Sequence, residues 1–149
     1  MALLLVVAAA VVQDGRLLVV SKKAAPDVLY LPGGKPEPGE SPRQTLIREL
    51  DEELGVLPAE VTLLADVDEL SALERVPMRM TVFTARLVQV PRPAAELAAL
   101  AWTTGTDAYE PLLAPALTRH VIPVLRAAGL LGRQSAPGVS FPENVSGLG

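Results

Sequence analysis

Residues 41–55, SPRQTLIRELDEELG, mark both ends of a helix, and that helix dictates what the rest of the chain must supply. Ser41 suits the N-cap, Pro42 suits the first helical position, and Gln44 completes a capping-box pattern. Gly55 ends the helix, because glycine tolerates the left-handed conformation that follows a last turn. Leu46, Ile47, Leu50 and Leu54 recur at helical spacing, so one flank has to rest on a core. Glu49, Glu52 and Glu53 stand at i, i+3 and i+4 and place three carboxylates on one flank. Like charges at these spacings cost a helix roughly 0.2–0.5 kcal/mol per pair. Only Arg48, four residues before Glu52, offers local relief. A solvated acidic face is the plain reading of such a run. The alternative is a face that holds a cation.

The segments around the helix read mainly as strands. Residues 3–12 and 17–21 are apolar runs on either side of Asp14-Gly15, a hairpin signal. SKKAAPD reads as a polar connection and VLYL as a short strand ending at Pro32. PGGKPEPGES is a Gly/Pro-rich loop. After the helix, VTLLADV, MRMTVFTARLVQV and LAALAWT read as strands, and Phe83, Ala85 and Leu87 alternate with Thr84 and Arg86 as a half-buried strand requires. Residues 111–129 read as a C-terminal helix that Pro115 can start and Pro123 must kink or interrupt. From Gly132 the composition becomes Gly-, Ser- and Pro-rich. The expected organisation is a domain over 1–132 and a tail over 133–149. Strands, a helix and more strands imply an α/β layered domain with a mixed sheet.

Composition removes several functions. The chain of 149 residues has no cysteine, so disulfides, thiolate zinc sites and cysteine nucleophiles are excluded. Its one histidine, His120, rules out a multi-histidine zinc site. A net charge of −4 and five scattered aromatic residues argue against a nucleic-acid polymer as partner. Residues 34–56 carry six acids against three bases, so most of the net charge lies there. The acidity is local. The N-terminal apolar run lacks a basic leader region and is too short to span a bilayer, so a buried strand is expected, with no membrane partner. The absence of cysteine is compatible with a cytoplasmic location.

Magnesium is a hard cation that takes oxygen ligands, keeps some waters and completes its shell with substrate phosphates. A helix fixed by its apolar flank and presenting several glutamates supplies part of such a shell. The glycines before it let backbone groups approach a ligand closely. The loop and helix also resemble the signature of the Nudix hydrolase superfamily: Gly34, Glu40, Arg48, Glu49, Leu50, Glu52, Glu53, Gly55 and Val56 fill every specified position.

The resemblance implies an α/β/α sandwich that hydrolyses a nucleoside diphosphate linked to another moiety, with magnesium as cofactor and manganese as a substitute. It implies Glu49, Glu52 and Glu53 as metal ligands, with the Gly33 carbonyl as a further one. Arg48 would hold a ligating glutamate by a charge-assisted hydrogen bond. Gly34 and Gly55 would be structural, and Glu40 would steady the loop. Which glutamate activates the water is left open among Glu52, Glu53 and a downstream acid. Glu96 is the candidate there, with Asp66, Asp68 and Glu69 as competitors. Lys22, Lys23 and Lys35 are candidate phosphate contacts, whereas Phe83 and Trp102 are expected in the core. The implied partner is a small nucleotide or nucleotide derivative, and a homodimer is allowed. The rival function is a Nudix-like module that binds a nucleotide without turning it over.

Overall fold

The N-terminal apolar runs carry no polar alternation because most of their length is buried on both faces. In the computed structural model, which describes residues 3–132, β1 (Leu4–Ala10) sends Val7 and Ala9 to one side and Ala8 and Ala10 to the other. The chain then turns through β2 (Val12–Gln13) into β3 (Arg16–Lys22), where Leu17 and Val19 oppose Leu18 and Val20 in the same way. Burial on both faces is what continuous apolar runs signify. The turn between β2 and β3 has positive φ at both Asp14 (52°) and Gly15 (75°), the backbone that tight hairpins favour.

Five further strands and α1 (Pro42–Leu54) complete the layers. β4 (Ala25–Tyr30) follows a tight turn at Lys23 and Ala24, and β5 (Gly33–Gly34) is short. β6 (Pro58–Leu70), β7 (Pro77–Leu87) and β8 (Leu97–Thr103) come after α1. One sheet, β5-β1-β7-β6, is mixed, because β1 and β7 run parallel from Leu4 opposite Met78 to Ala10 opposite Thr84. The other joins β2, β3 and β4, with β8 pairing antiparallel to β3. The expected mixed sheet is present, and a second, antiparallel sheet stands beside it.

Apolar side chains from both sheets meet α1 on one side, through Leu46, Leu50, Leu54, Val20 and Phe83. On the other side they meet the C-terminal helical segment through Leu117, Val121, Ile122 and Leu125. This is an α/β/α sandwich. Phe83 is buried, and Trp102 is half-buried against the α1 side, as expected for core residues.

The structure corrects some boundaries. The stretch read as the polar connection SKKAAPD belongs largely to β3 and β4. Its lysines and Pro26 are accommodated there because Lys22, Pro26 and Asp27 reach the surface. The expected helix over 111–129 begins later, since Glu110–Leu112 is a separate 3₁₀ turn. Pro123 does not end it. A wide π turn, Leu117–Val121, precedes α2 (Ile122–Ala127), and the Ile122 N–H bonds back to the Leu117 carbonyl. Widening the helix there accommodates a ring that would otherwise press on the carbonyl four residues earlier. Ile47, expected on the apolar flank of α1, is 39% exposed, while Leu46, Leu50 and Leu54 are buried. The expected tail, 133–149, lies outside the described residues.

Candidate active site

The local sequence builds α1 as its caps require. The Gln44 N–H donates to Ser41 Oγ at 3.1 Å, and the Ser41 N–H donates to Gln44 Oε1 at 2.9 Å. Gly55 ends the helix at φ 67°. The last turns therefore have a fixed direction, and their acids point where packing sends them.

The three glutamates of α1 do not share one environment. Arg48 draws Glu49 and Glu52 together, donating from Nη1 to Glu49 Oε2 at 3.0 Å and to Glu52 Oε1 at 3.3 Å. Its strongest contact is with Glu40, to which Nε and Nη2 donate at 2.6 and 2.9 Å as a two-pronged fork. Nη2 also donates to the Lys35 carbonyl at 3.1 Å. Arg48 therefore holds two of the expected ligands, and it pins the loop to the helix as well. The paired Arg48 guanidinium pulls Glu40 down to about 2, and the Glu37 and Thr45 contacts assist. Glu40 Oε1 accepts from the Glu37 N–H and from Thr45 Oγ1, so its role in steadying the loop is visible in the structure.

Glu53 faces the other way. It is 4% exposed, and its Oε1 accepts the Gly33 N–H at 3.1 Å. Burial pushes its carboxyl up to about 7, with Glu49 and Glu96 adding repulsion, against the Gly33 hydrogen bond and the Lys22 charge. Burial also raises Glu49, partly offset by Arg48. Two neighbouring acids thus resist ionisation chiefly because burial removes their hydration. Among the described residues, no group of three acids or histidines is placed so that it could hold a metal ion as it stands. The expected single flank is divided between Arg48 and Gly33. The donor set is still all oxygen and anionic, and its raised carboxyls are those a hard cation would relieve. By donor type, Glu49, Glu52 and Glu53 suit such an ion.

The two glycines before the helix are held by close approach. A Cβ on Gly33, at φ 152°, would meet the Val7 carbonyl oxygen at 2.0 Å, because β5 lies against β1. A Cβ on Gly34 would meet the Glu49 carboxylate at 2.3 Å. The two positions should therefore behave differently. Gly33→Ala meets rigid backbone and should unfold or strongly destabilise the protein, whereas Gly34→Ala meets the movable end of a side chain. Gly34→Ala should keep a cooperative melt close to wild type and yet lose activity by displacing Glu49. Thermal melting and turnover of the two variants check this.

Beside Glu53 a cavity of about 130 Å³ opens between the sheets. Leu4, Val6, Leu31, Met78, Met80 and Leu117 make it apolar, and Lys22, Lys35, Tyr30 and Glu74 give it a polar rim. Lys22 lies 3.8 Å from Glu96, and Lys35 lies 3.3 Å from Glu74. Lys23 sits in the turn after β3 and is exposed, away from the cavity lining. Glu96 is exposed at the site and adds to the charge felt by Glu49 and Glu53. The competing acids are engaged elsewhere: Asp68 with Arg79, Asp66 with Thr81, and Glu69 with Arg119 and His120. Sequence reasoning did not single out Tyr30, Glu74, Met78 or Met80. Only folding brings them to the cavity, and Tyr30, an aromatic residue with a polar tip just before the glycine pair, was the one local signal.

Comparison with known proteins agrees with this geometry. The family model of the NUDIX domain matches residues 3–125. Over 54 residues the chain is 50% identical to the CTP pyrophosphohydrolase of Escherichia coli strain K12, a stretch covering 34% of this chain and 40% of that relative's length. The solution structure of the E. coli ORF135 protein is 32% identical with a TM-score of 0.65, covering 87% of this chain and 90% of that one. The NUDIX domain of Shewanella oneidensis NrtR, solved with ADP ribose, is 27% identical with a TM-score of 0.69, covering 86% and 89% of the two chains.

Proposed function

This chain belongs to the Nudix hydrolase family, and we propose that it hydrolyses a diphosphate linkage in a nucleotide with the aid of magnesium or, in its place, manganese. The observation that carries this reading is the placement of buried Glu53, with its raised carboxyl, beside a cavity rimmed by two lysines. Glu49, Glu52, Glu53 and the Gly33 carbonyl would hold the cation. When bound, the cation supplies Lewis-acid stabilisation to the transferring phosphoryl group and makes water a better nucleophile.

The remaining work falls to side chains. Arg48 keeps Glu49 and Glu52 oriented, which limits the rearrangement needed on binding. Lys22 and Lys35 at the rim offset phosphate charge, and positioning plus charge stabilisation dominates such chemistry. A carboxylate takes the proton of the attacking water. Glu52 and Glu53 are the candidates on α1 for this role. Glu96, tied to Lys22 across the rim, is the alternative base. If it serves, Glu96→Gln should lower kcat far more than it changes KM and erase the acidic limb of the pH–rate profile. An unchanged rate and profile would leave the role with Glu52 or Glu53.

The apolar cavity is suited to the nucleobase. An enclosed cavity of roughly 150 Å³ lined by Leu, Ile and Phe accepts a benzene ring, and the 130 Å³ here is of the same order. That size favours a pyrimidine nucleoside triphosphate, and the likeness to a CTP pyrophosphohydrolase points the same way. A hydrolysis screen across nucleoside triphosphates, nucleoside diphosphate sugars and ADP-ribose, with products identified and magnesium present or withheld, tests the proposal. Turnover of pyrimidine triphosphates only with the metal is expected. Nucleotide binding without turnover of any substrate would leave a binding module instead.

A further inference from the structure

Tyr30 belongs to this site, yet the reaction outlined above gives it no task. It lines the cavity together with Lys22, Gly33 and Glu53. Its hydroxyl oxygen is closed off from solvent and has no hydrogen-bond partner among the described residues. Native proteins leave very few buried polar groups in that state, and those they do leave often serve a function. The Lys22 backbone N–H approaches the phenol oxygen without closing a hydrogen bond. Even that approach serves the oxygen only, and the hydroxyl proton still has no acceptor. Burial raises the phenol pKa, and the charges of Glu53 and Glu96 add to the rise, so the group stays a protonated donor at neutral pH.

The Lys22 ammonium lies 5.8 Å from the ring centroid and 3.8 Å from the Glu96 carboxylate. Pairs between exposed side chains of this kind contribute little to stability. A phosphate arriving at the rim would compete with Glu96 for this ammonium.

We propose that Tyr30 is a substrate-binding residue whose hydroxyl donates a hydrogen bond to an acceptor oxygen of the bound nucleotide. The inference rests on the reading of this cavity as a nucleotide site. The acceptor oxygen belongs either to the phosphate chain or to the nucleoside, and the two sources separate experimentally.

Tyr30→Phe removes the hydroxyl and keeps the ring. Calorimetric titration of wild type and variant, in magnesium, with inorganic pyrophosphate and with a non-hydrolysable pyrimidine triphosphate analogue reads the contact directly. The variant should bind the analogue about 10-fold more weakly, as expected for one lost hydrogen bond to a buried donor. The ligand-free variant should melt at or above the wild-type temperature, because an unsatisfied buried donor has been removed. Weaker binding of both ligands assigns the acceptor to the phosphate chain, and weaker binding of the analogue alone assigns it to the nucleoside. Unchanged affinity for both ligands, or a melting temperature several degrees lower, overturns the inference and makes the hydroxyl a part of the fold. Wild-type protein that binds neither ligand would overturn the nucleotide reading of the cavity and this inference with it.

Discussion

Glu53→Gln is expected to cut hydrolysis by about 10²- to 10⁴-fold, the range associated with loss of a positioned acid–base group, while making the metal-free protein more stable at and above neutral pH. The stability arm follows from linkage. The Glu53 carboxyl ionises near 7 in the fold and near the ordinary glutamate value of 4.5 in the unfolded chain. Between those values the folded protein binds the extra proton, so its stability falls as pH rises through this window. The full cost, reached above pH 7, is on the order of 3 kcal/mol. Glutamine keeps an oxygen to accept the Gly33 N–H and carries no charge to bury. Melting curves of the two metal-free proteins should coincide near pH 4.5 and separate by pH 8, with the variant higher. Saturating magnesium should reverse the order at pH 8, since the ion neutralises the wild-type carboxylate and gains less from glutamine. A wild-type melt unaffected by magnesium at pH 8 would sink the metal-platform reading of Glu53.

Arg48→Lys should be nearly as damaging to activity, despite preserving the charge. One guanidinium here reaches Glu40 through two nitrogens and also bonds Glu49, Glu52 and the Lys35 carbonyl. An ammonium is a compact point charge with no planar fork and cannot span these groups together. The loop over residues 35–40 would loosen from α1, and Glu49 and Glu52 would lose their orientation. A fall in turnover of at least about 10²-fold, comparable to loss of a positioned catalytic contact, should accompany a lower melting temperature and weaker magnesium binding by calorimetry. A lysine variant with normal turnover would show that the fork is dispensable and that Arg48 acts through charge alone.

The helix was legible in the sequence because its information is local. Ser41, Pro42, Gln44 and Gly55 each act within a turn of themselves, and all four behave as their types require. The glutamate spacing was equally legible, since residues three and four apart must lie near one another on a helix. The hairpin at Asp14-Gly15 belongs with these, because positive φ at two successive residues is a property of the turn itself. Boundaries were misread where distant contacts decide them. The helix read over 111–129 starts later than expected, and the interruption expected at Pro123 takes the form of a π turn, with Leu117, Val121, Ile122 and Leu125 held in the core.

Local sequence determined which residues form the acidic helix and where it begins and ends. The tertiary structure alone decided how its carboxylates divide. Periodicity places Glu49, Glu52 and Glu53 on one helix but is silent on what faces them, because those partners come from other parts of the chain: Glu40 by way of Arg48, Gly33 beneath Glu53, and Glu96 across the rim. The same holds for the cavity, whose walls are contributed by strands and turns spread over the whole described chain. Spacing sets geometry within one element. Desolvation, which raises Glu53 and leaves Tyr30 with an unmatched hydroxyl, exists only once separate elements have closed over the site.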